Sequence, residues 1–236
     1  MFRRPDYSVQ VLNALAQCRG IENWRVVFRI DPWTKETTEE LTRLCRQFRA
    51  CPSRLIVAPG RQGCNLNIKA TIDEAFSEAD FVACVEDDIV VAPDSLQFFE
   101  WGRKLYQDNL KVFSIGLWRH PKGWLPTSKS PSLPAGSGSA TVLGDHFFCW
   151  GWATWRNRWD WMRRWIPDQC GGVVSQSWDC CVGRSRAKGN KSQLLPMVSR
   201  AINIGATRGT HARAHIPPYW AGTPGFPFPP AFDLPK

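Results

Sequence analysis

Hydrophobic positions recur with two alternating periods along residues 2–118, and each change of period marks a new element. RPDYSVQVLNALAQC (4–18) reads as an amphipathic helix with Val9, Val11, Leu12, Leu15 and Ala16 near one face. WRVVFRIDPW (24–33) is a short β-branched strand that stops at the turn signal Asp31-Pro32. In TKETTEELTRLCRQF (34–48), Leu41, Leu44 and Phe48 stand at i, i+3 and i+7, one face of a second helix. SRLIVAPG (53–60) is a strand and NIKATIDEAFSEA (67–79) a helix. FVACVE (81–86) is the next strand, and PDSLQFFEWGRKLYQD (93–108) a helix opened by Pro93 and Asp94. KVFSIGLW (111–118) is a fourth strand.

Helix and strand joined in alternation by short links predict an α/β fold on a mainly parallel, Rossmann-like sheet flanked by helices. Ligands of such sheets sit outside the carboxyl ends of the strands. That rule brings Asp31, Glu86, Asp87 and Asp88 to one rim, although they are distant in sequence. The chain opens on what reads as the loop and helix that follow a first strand. A truncated first strand, reduced to Met1-Phe2, is therefore expected. Residues 121–144 turn to Pro, Ser, Gly and Lys and read as a loop. In HFFCWGWATWRNRWDWMRRW (146–165), Trp152, Trp155 and Trp159 have the spacing of one helix face, with core packing outweighing ligand contact. One domain over 1–216 is expected, with halves at about 1–118 and 140–216 and a Pro-rich tail at 217–236.

Composition narrows the function. The chain is 43% hydrophobic and 22% charged, as globular proteins are. Its formal charge of +9 is spread along the chain rather than gathered in a run, which argues against nucleic acid and for a small phosphate-bearing ligand. No apolar run reaches the eighteen residues of a membrane span, and MFRRPDYSVQ is not a secretory signal. The nine Cys have no zinc spacing and do not decide a compartment.

The chemistry concentrates where FVACVEDDIVVAPDSLQFF (81–99) drives an apolar run into Glu86-Asp87-Asp88. Unpaired carboxylates are costly inside a strand, so the strand ends there or a cation sits at its tip. One or two carboxylates suit a Mn2+ or Mg2+ ion whose remaining ligands are phosphate and water. The plain alternative is a solvated turn before the next helix.

VEDDIVVAPDSLQFFEW resembles the metal-binding segment of the N-acetylglucosaminyltransferase I family, nucleotide-sugar transferases of GT-A fold. HFFCWGWATW, SWDCCV and LLPMVSRAINIGATRGTH resemble further family segments in the same order, so the similarity spans most of residues 3–215. The resemblance implies Asp88 as metal ligand, Asp87 and Glu86 as sugar-nucleotide contacts, and Asp31 as the uracil contact. It implies Arg4 beside the nucleotide and Asp179 as the catalytic base; by spacing alone, Asp179 is a helix cap after a core Trp178. Arg208 and Thr210 fall in a loop (205–211) that orders over the donor in the family. His211 is a candidate second metal ligand, and Trp152 and Trp178 are candidates for bordering the acceptor. The expected activity is inverting transfer of GlcNAc from UDP-GlcNAc to a glycan hydroxyl, with the Golgi lumen as compartment for a eukaryotic source and the cytoplasm for a bacterial one. The alternative is an inactive nucleotide-sugar or carbohydrate-binding module. Two departures bear on acceptor choice: Cys180 replaces the family's second acid, and the 121–144 insertion has no counterpart.

Overall fold

A computed structural model of the chain describes residues 1–119, 140–169 and 173–205. The elements run α1 (Pro5–Ala16), β1 (Val26–Ile30), α2 (Lys35–Gln47), β2 (Ser53–Val57), α3 (Cys64–Phe76), β3 (Phe81–Cys84), β4 (Ile89–Val91), α4 (Ser95–Tyr106) and β5 (Val112–Gly116). They continue with β6 (Thr141–Gly144), β7 (Trp152–Trp155), α5 (Arg156–Met162), α6 (Trp178–Lys188), β8 (Ser192–Pro196) and β9 (Ala201–Asn203).

Local chemistry explains where the helices begin. Pro5 starts α1, its fixed φ and missing N–H being harmless in a first turn. That start turns Tyr7, Ser8, Val11 and Leu12 inward and leaves Val9 and Ala16 exposed, shifting the face expected from periodicity by part of a turn. The Thr34 hydroxyl caps α2 by accepting from the Thr37 N–H, and Leu41 and Cys45 form its buried stripe.

The sheets are mixed. β1 and β2 pair in parallel, and a five-stranded sheet has the order β3-β7-β5-β8-β6. Within it β3, β5 and β8 run one way, while β7 and β6 run against them. β4 and β9 form a separate antiparallel ribbon. Beside β1, the Met1 amino group donates to the Arg29 carbonyl (2.8 Å) and the Asp31 N–H donates to the Met1 carbonyl (2.9 Å). Met1 thus hydrogen-bonds alongside β1, and the Phe2 N–H turns to Asp87.

Two expectations change. Trp152 and Trp155 belong to strand β7, not to a helix with Trp159. β7 lies between β3 and β5, so all four of its residues are buried and the spacing imitates a helix face. Gly151 feeds this strand at φ +72°, and a Cβ there would stand 2.9 Å from Leu117 Cδ1. Residues 141–144, expected in a loop, pair as β6 along the edge of β8. The Pro-rich tail (217–236) lies outside the described residues.

The core has two parts. One includes Phe28, Ile30, Leu41, Phe98, Phe99 and Ile115, around α1, α2 and α4. The other gathers Phe76, Phe113, Trp152, Trp159, Met162 and Trp178 between α3, α5 and α6.

Candidate active site

The acidic triplet occupies the turn between β3 and β4. The β4–β9 ribbon folds Gly205 against it: the Ile204 N–H donates to the Asp88 carbonyl at 2.9 Å. A Cβ on Gly205 would stand 2.1 Å from Asp88 Oδ2 and 2.8 Å from Arg4 Nη1. Only glycine lets the backbone come so close.

Arg4, at the start of α1, reaches both aspartates. Its Nη2 donates to Asp87 Oδ1 at 2.9 Å and its Nη1 to Asp88 Oδ2 at 3.0 Å. The Phe2 N–H adds a bond to Asp87 Oδ2 at 2.8 Å. The Arg4 Nε is buried without a hydrogen-bond partner among the described residues. Burial pulls the Arg4 pKa down, but Asp87 and Asp88 outweigh it and hold it above its ordinary value. Asp88 is pushed up by burial more than Arg4 pulls it down. Burial, then Asp88, Asp87 and Asp179, push Glu86 well above the usual carboxylate range. One guanidinium thus faces the two carboxylates of Asp87 and Asp88.

Asp31 sits at the carboxyl end of β1, as the strand rule requires, but its carboxylate already has partners. It accepts from the Gln62 N–H (2.6 Å) and the Gly63 N–H (3.0 Å), at the start of α3. Next to it Trp33 is 47% exposed, with the Arg61 guanidinium 4.6 Å over its ring and the Phe2 ring edge-on at 5.4 Å. Trp33 and Arg61 were not singled out from sequence, and DPW (31–33) was the available signal. A groove of about 740 Å³ along α2, lined by Trp33, Lys35, Arg43 and Arg46 among others, contains none of the candidate residues.

Asp179 lies in the first turn of α6 and accepts from the Ser177 Oγ at 2.5 Å. Its charge helps to raise the Glu86 carboxyl and the Cys149 thiol, behind burial in both cases. Buried Asn65 fixes the start of that helix. It accepts from the Trp178 N–H (2.9 Å) and donates to the carbonyls of Pro167 (3.1 Å) and Gln176 (2.8 Å). Sequence reasoning missed this residue, because its partners are about a hundred positions away.

Trp152 and Trp178 are corrected from acceptor-bordering candidates to core residues. They are 0% and 3% exposed and stack on each other at 5.9 Å. Arg208, Thr210 and His211 lie outside the described residues.

No protein-family model matches the chain. Among solved structures it is similar to the mannosyltransferase PcManGT from Pyrobaculum calidifontis in complex with GDP-Man and Mn2+, with TM-score 0.55 and 15% identity over 90% of this chain and 57% of that one. It is also similar to S. aureus TarS (residues 1–349), with TM-score 0.53 and 12% identity over 85% of this chain and 57% of that one. The chain has the GT-A fold. It spans 57% of the length of each of these two structures. The likeness reaches the GT-A fold and does not single out the N-acetylglucosaminyltransferase I family within it.

Among the described residues of this GT-A chain, no cluster of three or more His, Cys, Asp or Glu is arranged to hold a metal by itself. Two carboxylates with a cation already bonded across them nevertheless fit a divalent ion that completes its shell with phosphate and water. No described helix of the GT-A domain is long and apolar enough to cross a membrane.

Proposed function

We propose that this chain is a metal-dependent, inverting glycosyltransferase that moves a sugar, GlcNAc from UDP-GlcNAc, onto a glycan hydroxyl. The observation that carries the reading is the meeting of Arg4, from the start of the chain, with Asp87 and Asp88 at the end of β3. The GT-A fold supports it, as does the Mn2+ and GDP-Man named for PcManGT.

Asp88, helped by Asp87, would hold the Mn2+ or Mg2+ ion, whose charge offsets that growing on the leaving diphosphate. Arg4 contributes a guanidinium matched to a phosphate. Trp33 and Arg61 supply a stacking wall beside Asp31, where a base would lie. Asp179 takes the proton that the attacking hydroxyl loses as the new glycosidic bond forms. The Ser177 hydroxyl holds one Asp179 oxygen, which leaves the other for the acceptor. In the same reading Arg208 and Thr210 contact the donor, and His211 is a further metal contact.

The test is release of UDP and transfer of sugar from UDP-GlcNAc, with and without Mn2+, against an array of glycans. GDP-mannose serves as the competing donor. Mn2+-dependent transfer from UDP-GlcNAc supports the reading, and preference for GDP-mannose keeps the enzyme class but overturns the donor. Metal-dependent binding of UDP-GlcNAc without transfer or hydrolysis would make the chain a binding module.

A further inference from the structure

Arg4 is held as firmly as the carboxylates it touches. Its carbonyl accepts from the Tyr7 N–H (3.1 Å), the Ser8 N–H (3.0 Å) and the Ser8 Oγ (3.1 Å), which ties its backbone into the first turn of α1. Its guanidinium lies 5.3 Å over the Tyr7 ring, and its side chain is 15% exposed. From that fixed base it forks across Asp87 and Asp88, whose side chains are 9% and 15% exposed. Gly205 closes the remaining side, 2.1 Å from Asp88 Oδ2 to where its Cβ would stand. A divalent ion held by Asp87 and Asp88 would share their carboxylates with the Arg4 guanidinium. The two cations would be neighbours in a pocket with little water to screen them.

We propose that Arg4 competes with the divalent metal for Asp87 and Asp88, and that the donor diphosphate relieves the competition by taking the guanidinium. The inference rests on the nucleotide-sugar reading above and adds to it an order of binding. Metal alone binds weakly because it must displace a bonded, buried guanidinium. Diphosphate gives that guanidinium a bidentate anionic partner. The Arg4 Nε, buried and without a hydrogen-bond partner among the described residues, provides one more donor for it. With Arg4 turned to the diphosphate, Asp87 and Asp88 would be left to hold the metal. The coupling is reciprocal: metal and nucleotide each tighten the other through this side chain. A site so arranged avoids holding a bare metal ion and closes its charge balance only around a donor.

The experiment measures Mn2+ binding by the EPR signal of the free ion, with the parent chain, Arg4→Gln and Arg4→Lys. Each is titrated alone and in saturating UDP, after thermal melts have confirmed folding. For the parent, weak binding of Mn2+ alone and at least ~10-fold tightening by UDP are expected. Arg4→Gln should bind Mn2+ alone at least ~10-fold more tightly than the parent and lose most of the tightening by UDP. Arg4→Lys keeps the charge but not the fork, so it should fall between them, and it carries the test if the Gln variant does not fold. Equal or weaker binding of Mn2+ alone by the variants overturns the competition, and if the parent still binds UDP with Mn2+, the nucleotide-sugar reading survives. A parent that binds neither Mn2+ nor UDP at millimolar concentration overturns both.

Discussion

The Arg200 guanidinium lies 3.1 Å from the Asp94 carboxylate, and both side chains are sealed from solvent at 0% and 4% exposure. Asp94 stands at the N-cap of α4, yet its side chain makes no cap hydrogen bond; it faces Arg200 instead. The Arg200 backbone adds three contacts: its N–H donates to Leu117, and its carbonyl accepts from the Ala92 N–H and the Ser95 hydroxyl. The pair joins β5, α4 and the strand that delivers Gly205 to Asp88. Removing one partner leaves a buried charge without its mate. Arg200→Met should therefore cost about 3–5 kcal/mol, and an Asp94→Leu/Arg200→Met double variant should recover much of it. Urea melts of the parent and the two variants would settle this, and a loss of only a few tenths would show that the pair is dispensable.

Gly205 sits where a side chain would strike Asp88, whereas a Cβ on Gly60 would meet nothing within 4 Å. Gly205→Ala is expected to push the Asp88 carboxylate aside and weaken Mn2+-dependent UDP binding on the order of 10–100-fold. Asp88→Asn should abolish it, and Gly60→Ala should leave it alone. Calorimetry with UDP, with and without Mn2+, makes the comparison. Parental affinity in Gly205→Ala would mean that Asp88 does not hold the metal.

Asp179→Asn keeps size and hydrogen bonding to Ser177, so folding and donor affinity should survive. If Asp179 is the base, transfer falls by ~10²–10⁴-fold. A folded variant that transfers at the parental rate leaves Asp179 as a helix-terminal residue and moves the search to Asp145, Asp160 and Asp168.

Cysteine chemistry offers a check on the core. Cys18 is pushed up to about 12 and Cys45 to about 11, from an ordinary 9.0, chiefly by burial. Cys64 is exposed. Iodoacetamide at pH 8 should label Cys64 in the native chain, and Cys18 and Cys45 only after unfolding, because the thiolate is the nucleophile. The same shifts have a linkage consequence. Above pH 9 the unfolded chain loses thiol protons that the folded chain keeps, so stability should fall as pH rises through 9 to 12. Cys18→Ala should flatten that decline. Labelling of Cys18 at the rate of Cys64 in the folded protein would contradict the burial of Cys18 against the Ala92 carbonyl.

The α/β alternation and the placing of Asp31 and the acidic triplet at strand ends were legible in the sequence. Each depends on near neighbours: a repeat of apolar positions, a run of carboxylates that no strand interior can hold. Tertiary structure alone decided that Trp152 and Trp155 form a central strand, because burial on both faces erases the alternation by which strands are read. It also decided that 141–144 would pair as an edge, since its partner β8 lies some fifty residues on. The site divides in the same way. Asp87 and Asp88 announce themselves by their charge, but the Arg4 fork, the close approach of Gly205 and the three bonds of Asn65 join residues about 80 to 120 positions apart. Such contacts leave no local signal, because a side chain's partner is set by the path of the whole chain.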